Sequence, residues 1–283
     1  SDYGTTREFV FVNLKCSWLS VLASAMDKQI DLLGRDVKSL TDICLDTLAA
    51  CTKADWFRDV RLPRELADRF YAYLQKRHLI SDQVVPVVLH AGSLEADLAG
   101  CPITDRGLIS LRHCTKIRKL CLSSTTSGYS FSEESLLECF KCFHELQWLE
   151  LVGLSGVSRS VVQLIAEQNR WLTVLNLKEC ENIDDLCLEQ LGLHCLLRSV
   201  NFSSTRITSR GIVALIRGPC KWTLEEFIAE RCMQIDDIGM KALMRDCTAL
   251  KILSVVGSRA IPDDEAELGQ VNRRMQLSWF INY

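Results

Sequence analysis

Two His-Cys pairs, His113-Cys114 and His194-Cys195, have the residue types of a thiol nucleophile beside its base. Asp184-Asp185 and Asp236-Asp237 are adjacent carboxylates of the kind that hold a metal or share acid–base work. Cys139-Phe140-Lys141-Cys142 has the spacing of a zinc half-site. Position explains each group better than chemistry does. The His-Cys pairs recur at matching points of a repeated unit, where a helix ends and a histidine favours the negative end of the helix dipole. The acidic pairs recur where a helix begins and an acceptor satisfies free backbone N–H groups. Zinc needs four ligands, and no second cysteine pair stands at ligand spacing. Neither G-x-x-x-x-G-K nor G-x-G-x-x-G occurs, so no phosphate cradle is expected. The expectation is a chain with no catalytic centre, no metal and no cofactor.

The elements that place these residues come from a repeat. Apolar-x-apolar, then a small residue or cysteine, then an apolar residue and Ser, Thr or Asp, is clearest at Leu175-Asn176-Leu177 with Cys180, Ile183 and Asp184. Copies begin at 96, 120, 149, 175, 200, 227, 253 and 277, in steps of 24, 29, 26, 25, 27, 26 and 24 residues. In apolar-x-apolar the side-chain period is two, which makes a strand with one buried face. Thr104, Ser132, Ser158, Asp184, Thr208 and Asp236 then stand where a helix N-cap belongs. Cys101, Cys180 and Cys232 fill the bend after the strand, and Cys114, Cys195 and Cys247 close the helices. One such unit cannot bury its apolar face, whereas stacked units share a continuous core. The turn of the second unit is lengthened between Ser123 and Ser132.

Composition narrows the class of function. The 283 residues include 33 Lys+Arg and 36 Asp+Glu, for a formal net charge of −3, which lacks the concentrated basic surface of a nucleic-acid binder. No apolar run reaches the roughly 18 residues that span a bilayer, so no membrane partner is expected. Several of the 14 cysteines fall at matching points of the repeat and read as small reduced hydrophobes, pointing to the cytoplasm or nucleus. Residues 1–35 are an amino-terminal extension whose apolar runs Phe9–Val12 and Trp18–Met26 are interrupted by Asn13 and Lys15. A signal peptide would need an uninterrupted apolar core.

A period near 26 with a cysteine after the strand resembles the cysteine-containing leucine-rich repeats of F-box proteins. The resemblance covers 91–283 and implies an α/β fold: a right-handed solenoid of about seven strand–helix repeats with a parallel concave sheet. Residues 36–90 form a helical amino-terminal cap without the repeat. Ser39-Leu40 with Cys44 and Leu48 is amphipathic at helical spacing and resembles an elongin-binding box. Leu62-Pro63 with Leu66 and Phe70 resembles a cullin box, in which Pro63 suits a first helical turn. The second stretch also resembles the opening helix of an F-box, although the later Cys and Trp of an F-box are absent.

The whole layout is similar to the antagonist of mitotic exit network proteins. The residues that carry this are Thr41–Leu45, Leu62-Pro63 with Ala67-Asp68-Arg69, Ala99–Asp105, Asn201–Thr205, Gly218-Pro219-Cys220, Leu224-Glu225-Glu226 and Trp279–Tyr283. The resemblance implies a substrate receptor of a cullin-RING ubiquitin ligase. Elongin B/C or a Skp-type adaptor and a cullin would engage Leu40, Cys44, Leu48, Leu62, Pro63, Leu66 and Phe70. A protein substrate would take the repeats, in a setting of cell-cycle control. A scaffold or inhibitor that sequesters a partner without ubiquitin transfer is the other reading.

Alternation also assigns the outward side chains of the strands. Trp148, Glu150, Asn176, Lys178, Asn201, Glu226, Ile228 and Glu230 are expected to face a partner, with Arg231 and Glu179 at the adjacent rim. Trp148 is the natural anchor, unless it packs under the 123–132 loop. Glu150, Glu226 and Glu230 make this face partly acidic and suit a basic partner segment.

Overall fold

The computed structural model describes residues 61–124, 130–259 and 276–278, with Leu45 and Ala49 ahead of them. The chain divides into two compact units, 1–90 and 91–283.

In the second unit the apolar-x-apolar segments become strands β1 (Glu95–Asp97), β2 (Lys119–Ser123), β3 (Trp148–Val152), β4 (Val174–Asn176), β5 (Ser199–Asn201), β6 (Glu226–Ile228), β7 (Ile252–Ser254) and β8 (Gln276–Ser278). They pair in chain order, all parallel, in one 8-stranded sheet. Parallel neighbours need a crossover. Most crossovers carry a helix: α3 (Asp105–Ser110), α4 (Glu133–Phe140), α5 (Arg159–Gln168), α6 (Asp185–His194), α7 (Ser209–Arg217) with the short α8 (Cys220–Thr223), and α9 (Asp237–Asp246). Leu120, Leu149, Leu175, Val200, Phe227 and Leu253 share one register and are buried, which forms the inner row of the core.

Each helix begins where the sequence pattern puts a cap. The side chains of Thr104, Ser132, Ser158, Asp184, Thr208 and Asp236 all accept backbone N–H groups of the helix that follows. The paired carboxylates are thereby explained. Asp184 and Asp236 cap their own helices, while Asp185 accepts both the Thr208 backbone N–H and hydroxyl, each at 2.7 Å. Asp105 does the same for the Ser132 N–H at 3.0 Å and the Ser135 hydroxyl at 2.6 Å. A hydroxyl donated by Ser209, then the helix N–H groups, hold the Asp236 carboxyl below its usual range. Burial opposes ionisation of Asp184, but the Arg159 guanidinium at 2.7 Å and the helix N–H donors outweigh it. Asp236→Ala is expected to lower stability by about 1 kcal/mol near neutral pH. Because the folded carboxyl is depressed, this contribution is complete above the unfolded value near ~4 and is lost as pH falls through the folded value. Urea titrations at neutral and acid pH should show the difference from the parent chain shrinking in acid.

The strand ends turn by a repeated device. Gly100, Gly153 and Gly257 have φ of 69°, 67° and 75°, and the matching residues Glu179, Ser204 and Arg231 have 62°, 57° and 58°. This left-handed region suits glycine, and other residues hold it at a cost of about 1–2 kcal/mol. It lets the N–H of Gly153, Glu179, Ser204 and Arg231 donate to the next repeat at 2.7–2.9 Å.

The cysteines behave as core residues. Cys180 donates its thiol to Leu151 O at 2.9 Å, Cys220 to Cys195 O at 3.2 Å and Cys232 to Phe202 O at 3.2 Å. Burial pushes Cys195 and Cys247 up to about 12 and Cys180 and Cys187 to about 11. Such thiols are neither nucleophiles nor ready metal ligands. Asn169 takes the helix-closing place that Cys195 and Cys247 hold elsewhere. Its buried carboxamide accepts the Leu146 N–H at 2.9 Å and donates to Ile165 O at 3.2 Å.

In the first unit, α1 (Arg64–Gln75) is amphipathic, with Ala67, Phe70 and Leu74 buried. Pro63 precedes the helix as its N-cap residue instead of occupying the first turn, and its carbonyl accepts the Ala67 N–H at 2.9 Å. The short α2 (Val85–Val88) buries Val85, Val87 and Val88.

Candidate interaction face

Three outward rows cross the sheet. In the first, Lys119, Trp148, Val174, Ser199, Glu226 and Ile252 stand in register. In the second, Asp97, Cys121, Glu150, Asn176, Asn201, Ile228 and Ser254 do so. The third follows the strand ends through Lys178 and Glu230. Parallel strands lie about 4.8 Å apart, so the rows cross the sheet at close spacing, with Cys121 and Ser254 buried within the second.

At β3, Trp148 is 39% exposed. Its indole N–H donates to Glu150 Oε1 at 2.6 Å, and Lys119 Nζ lies 5.0 Å from the ring centroid. The ring is thus fixed between a carboxylate and an ammonium, which lowers the entropy lost when a partner lands on it. At the other end, Ser199 donates to Glu226 at 2.5 Å and Ser254 donates to Glu230 at 2.8 Å. The Glu230 backbone N–H donates to the Ser203 hydroxyl at 3.1 Å. Ile228 is half-buried, and Ile252 is 37% exposed. Lys178 pairs with Glu179 at 3.4 Å, so its charge is partly spent at home. Arg231 is exposed at the rim and holds no ion pair among the described residues.

One sequence expectation changes in detail, and one strand residue departs from the alternation. Asn176 and Asn201 do lie in the outward row, but their side-chain oxygens accept the backbone N–H of Lys178 and Ser203, at 3.1 and 2.9 Å. They shape the strand ends as Asp97 does for Ala99 at 3.2 Å, which leaves their amide NH2 groups toward a partner. Cys121 is buried although alternation places it outward. Burial, then the carboxylates of Glu150 and Asp97, push its thiol up to about 12.

On the adaptor side, Leu40, Cys44 and Leu48 lie outside the described residues. Pro63 is exposed, and Leu62 and Leu66 are half-buried. Phe70 is corrected: it is fully buried, so it serves the packing of α1 and presents no docking surface. The remaining histidine–cysteine readings resolve as expected from helix ends. His113 sits in a 3₁₀ turn (Leu111–His113) with Nδ1 2.5 Å from Ser110 O, and His194 closes α6. Among the described residues, no cluster of three or more His, Cys, Asp or Glu is arranged to hold a metal. No described helix is long and apolar enough to cross a membrane.

A parallel sheet in chain order, a cysteine or small residue after each strand and a capped helix returning to the next define an α/β leucine-rich-repeat solenoid. Residues 97–111, 168–189 and 194–215 match the family described as Leucine Rich repeat. Among solved structures, the fold is similar to a chain of the yeast Rad7 and Elc1 complex, with a TM-score of 0.55 and 14% identity. The likeness covers 76% of this chain and 64% of that one, so this chain matches less than two thirds of the length of its neighbour.

Proposed function

We propose that this chain is the substrate-recognition subunit of a cullin-RING ubiquitin ligase, itself non-catalytic and working in the cytoplasm or nucleus. The observation that carries the reading is the order of parts. In the sequence, adaptor-type apolar anchors precede a solenoid whose outward sheet face combines a braced tryptophan with carboxylates held by serine hydroxyls. A leucine-rich solenoid of similar fold occurs in a two-protein complex, that of Rad7 and Elc1, which supports an adaptor-bound role. In this scheme Leu40, Cys44 and Leu48 enter a groove on an elongin-type adaptor, and Leu62, Pro63 and Leu66 approach the cullin. Helix-in-groove binding draws most of its energy from a few such anchors. The substrate lies across Trp148, Glu150, Glu226, Ile228 and Glu230, and its degradation belongs to cell-cycle control.

The test is co-expression with elongin B/C and, separately, with a Skp-type adaptor, followed by co-purification. Capture of elongin B/C that is lost in Leu40→Glu is the expected result. Capture of the Skp-type adaptor, lost in Leu66→Glu, moves the chain to the F-box class. A folded chain that captures neither adaptor is instead a scaffold that sequesters its partner.

A further inference from the structure

Beyond the sheet face, exposed apolar side chains include Met233 and Ile238, each 63% exposed, and a group that contains two tryptophans. Trp171, Leu193 and Trp222 are 61%, 61% and 62% exposed. They come from three successive repeats and share one edge of the solenoid, where helices end and strands begin. Trp171 precedes β4, Leu193 lies in the last turn of α6 before β5, and Trp222 lies in α8 before β6. Bonds between repeats bring the backbone near each of them alongside that of the next repeat. The N–H groups of Arg198 and Ser199 donate to Thr173 O at 2.7 and 3.0 Å. Cys220 and Thr223, which flank Trp222, donate to Cys195 O and Leu197 O at 3.2 and 2.8 Å. Large apolar side chains exposed in such a group, each about three-fifths open, mark interaction surfaces more often than single exposed residues do.

The charges at this edge are mostly positive. Arg170 and Arg217 hold no ion pair among the described residues, and Lys221 Nζ lies 4.6 Å from the Trp222 ring centroid. Glu225 is shared by Arg198 and by Lys251 at 2.5 Å, and the exposed Glu167 accepts from Gln163 at 2.8 Å. The Gln163 amide does not neutralise Glu167, and Asp246, paired with Arg245, lies within electrostatic reach of Lys221. With Arg170, Arg217 and Lys221 against them, the side chains available to a partner are mainly aromatic and cationic. Three side chains are too little area for a stable dimer, which needs about 800 Å² per partner. They suit the anchors of a short segment.

We propose that the Trp171–Leu193–Trp222 edge is a second docking surface, separate from the sheet face, for an acidic segment of another protein that carries apolar residues at helical spacing. Its apolar residues seat on the two indoles and Leu193, and its carboxylates meet Arg170, Arg217 and Lys221. Tryptophan and arginine are the residues on which interface energy concentrates, which fits an edge built from them.

The test uses the full chain as bait for a displayed library of random 16-residue peptides at ~0.15 M salt, near physiological ionic strength. Enriched peptides are resynthesised, and their affinity is measured by fluorescence anisotropy. Acidic peptides with apolar residues spaced i, i+3 or i+4 are expected. Their affinity should fall at least about tenfold in Trp171→Ala/Trp222→Ala, and again in Arg217→Glu/Lys221→Glu. Glu226→Lys/Glu230→Lys on the sheet face should leave it unchanged, which separates this proposal from the receptor reading. Far-ultraviolet circular dichroism melts of each variant should match the parent chain, which separates lost binding from lost fold. Basic peptides whose affinity falls in Trp171→Ala/Trp222→Ala, acidic peptides whose affinity is indifferent to the two tryptophans, or no enrichment of tryptophan-dependent acidic peptides would each overturn it, the last with binding to phosphatidylserine vesicles if the edge meets a membrane instead.

Discussion

A Gly218→Ala chain is expected to unfold at clearly lower urea than the parent, with a loss of about 3 kcal/mol. Gly218 has φ of −90°, so alanine meets no backbone strain there and the effect is steric alone. A Cβ at this position would overlap the Gly192 carbonyl oxygen, and a Cβ on Gly192 would stand 2.6 Å from Leu215 O. The obstacles are backbone atoms of α6 and α7, which cannot swing aside as a side-chain tip can. In a solenoid each repeat is held only by its neighbours, so forcing this pair apart weakens one joint in the middle of the stack. The expected signature is a broadened or two-step urea transition followed by circular dichroism. Gly257→Ala is the comparison: its Cβ would meet Arg231 only at ordinary contact distance, 3.5 Å, and the positive φ of 75° leaves a strain cost of about 1 kcal/mol. Equal losses in the two variants would mean that α6 and α7 are not in backbone contact.

Phe70→Ala should cost about 3–5 kcal/mol, the usual result of emptying a buried aromatic site. Phe70 is fully buried in α1 alongside Ala67 and Leu74. Leu66 and Leu62, on the other hand, are half-buried, and Pro63 is exposed. Substituting Leu66 should therefore disturb stability far less. The two variants separate packing from docking in the co-purification experiment. If the helix carries an adaptor anchor, Leu66→Glu loses capture while its melt stays near that of the parent. Phe70→Ala loses capture only in proportion to the unfolded fraction. Full stability in Phe70→Ala would contradict the burial found here.

Much of the solenoid is written in single repeats, and that part could be read from sequence. Apolar-x-apolar sets which strand side chains point inward, and Thr104 to Asp236 stand as caps because an acceptor before a helical stretch has one local use. The bonds between repeats were not legible in this way. Asp185 to Thr208, Asp105 to Ser135 and Asn169 to Leu146 join residues more than twenty positions apart, and no short pattern announces them. Asn169 left one trace, since it replaces a cysteine at a helix end. The box pattern places Phe70 at a docking spacing because it fixes spacing but not which face of the helix is turned inward. Trp171 and Trp222 belong to no repeat position that the pattern defines. Trp148 was legible because alternation alone puts it outward, while its bracing by Glu150 and Lys119 appeared only in three dimensions.

The left-handed turns at the strand ends also govern how this rim can change over generations. Where glycine stands, at Gly100, Gly153 and Gly257, acquiring a side chain means accepting backbone strain. Where Glu179, Ser204 and Arg231 stand, reverting to glycine relieves it. A recognition feature on this rim is easily erased and hard to write anew. The rim side chains of Glu179 and Arg231 therefore sit on backbone that glycine would hold with less strain.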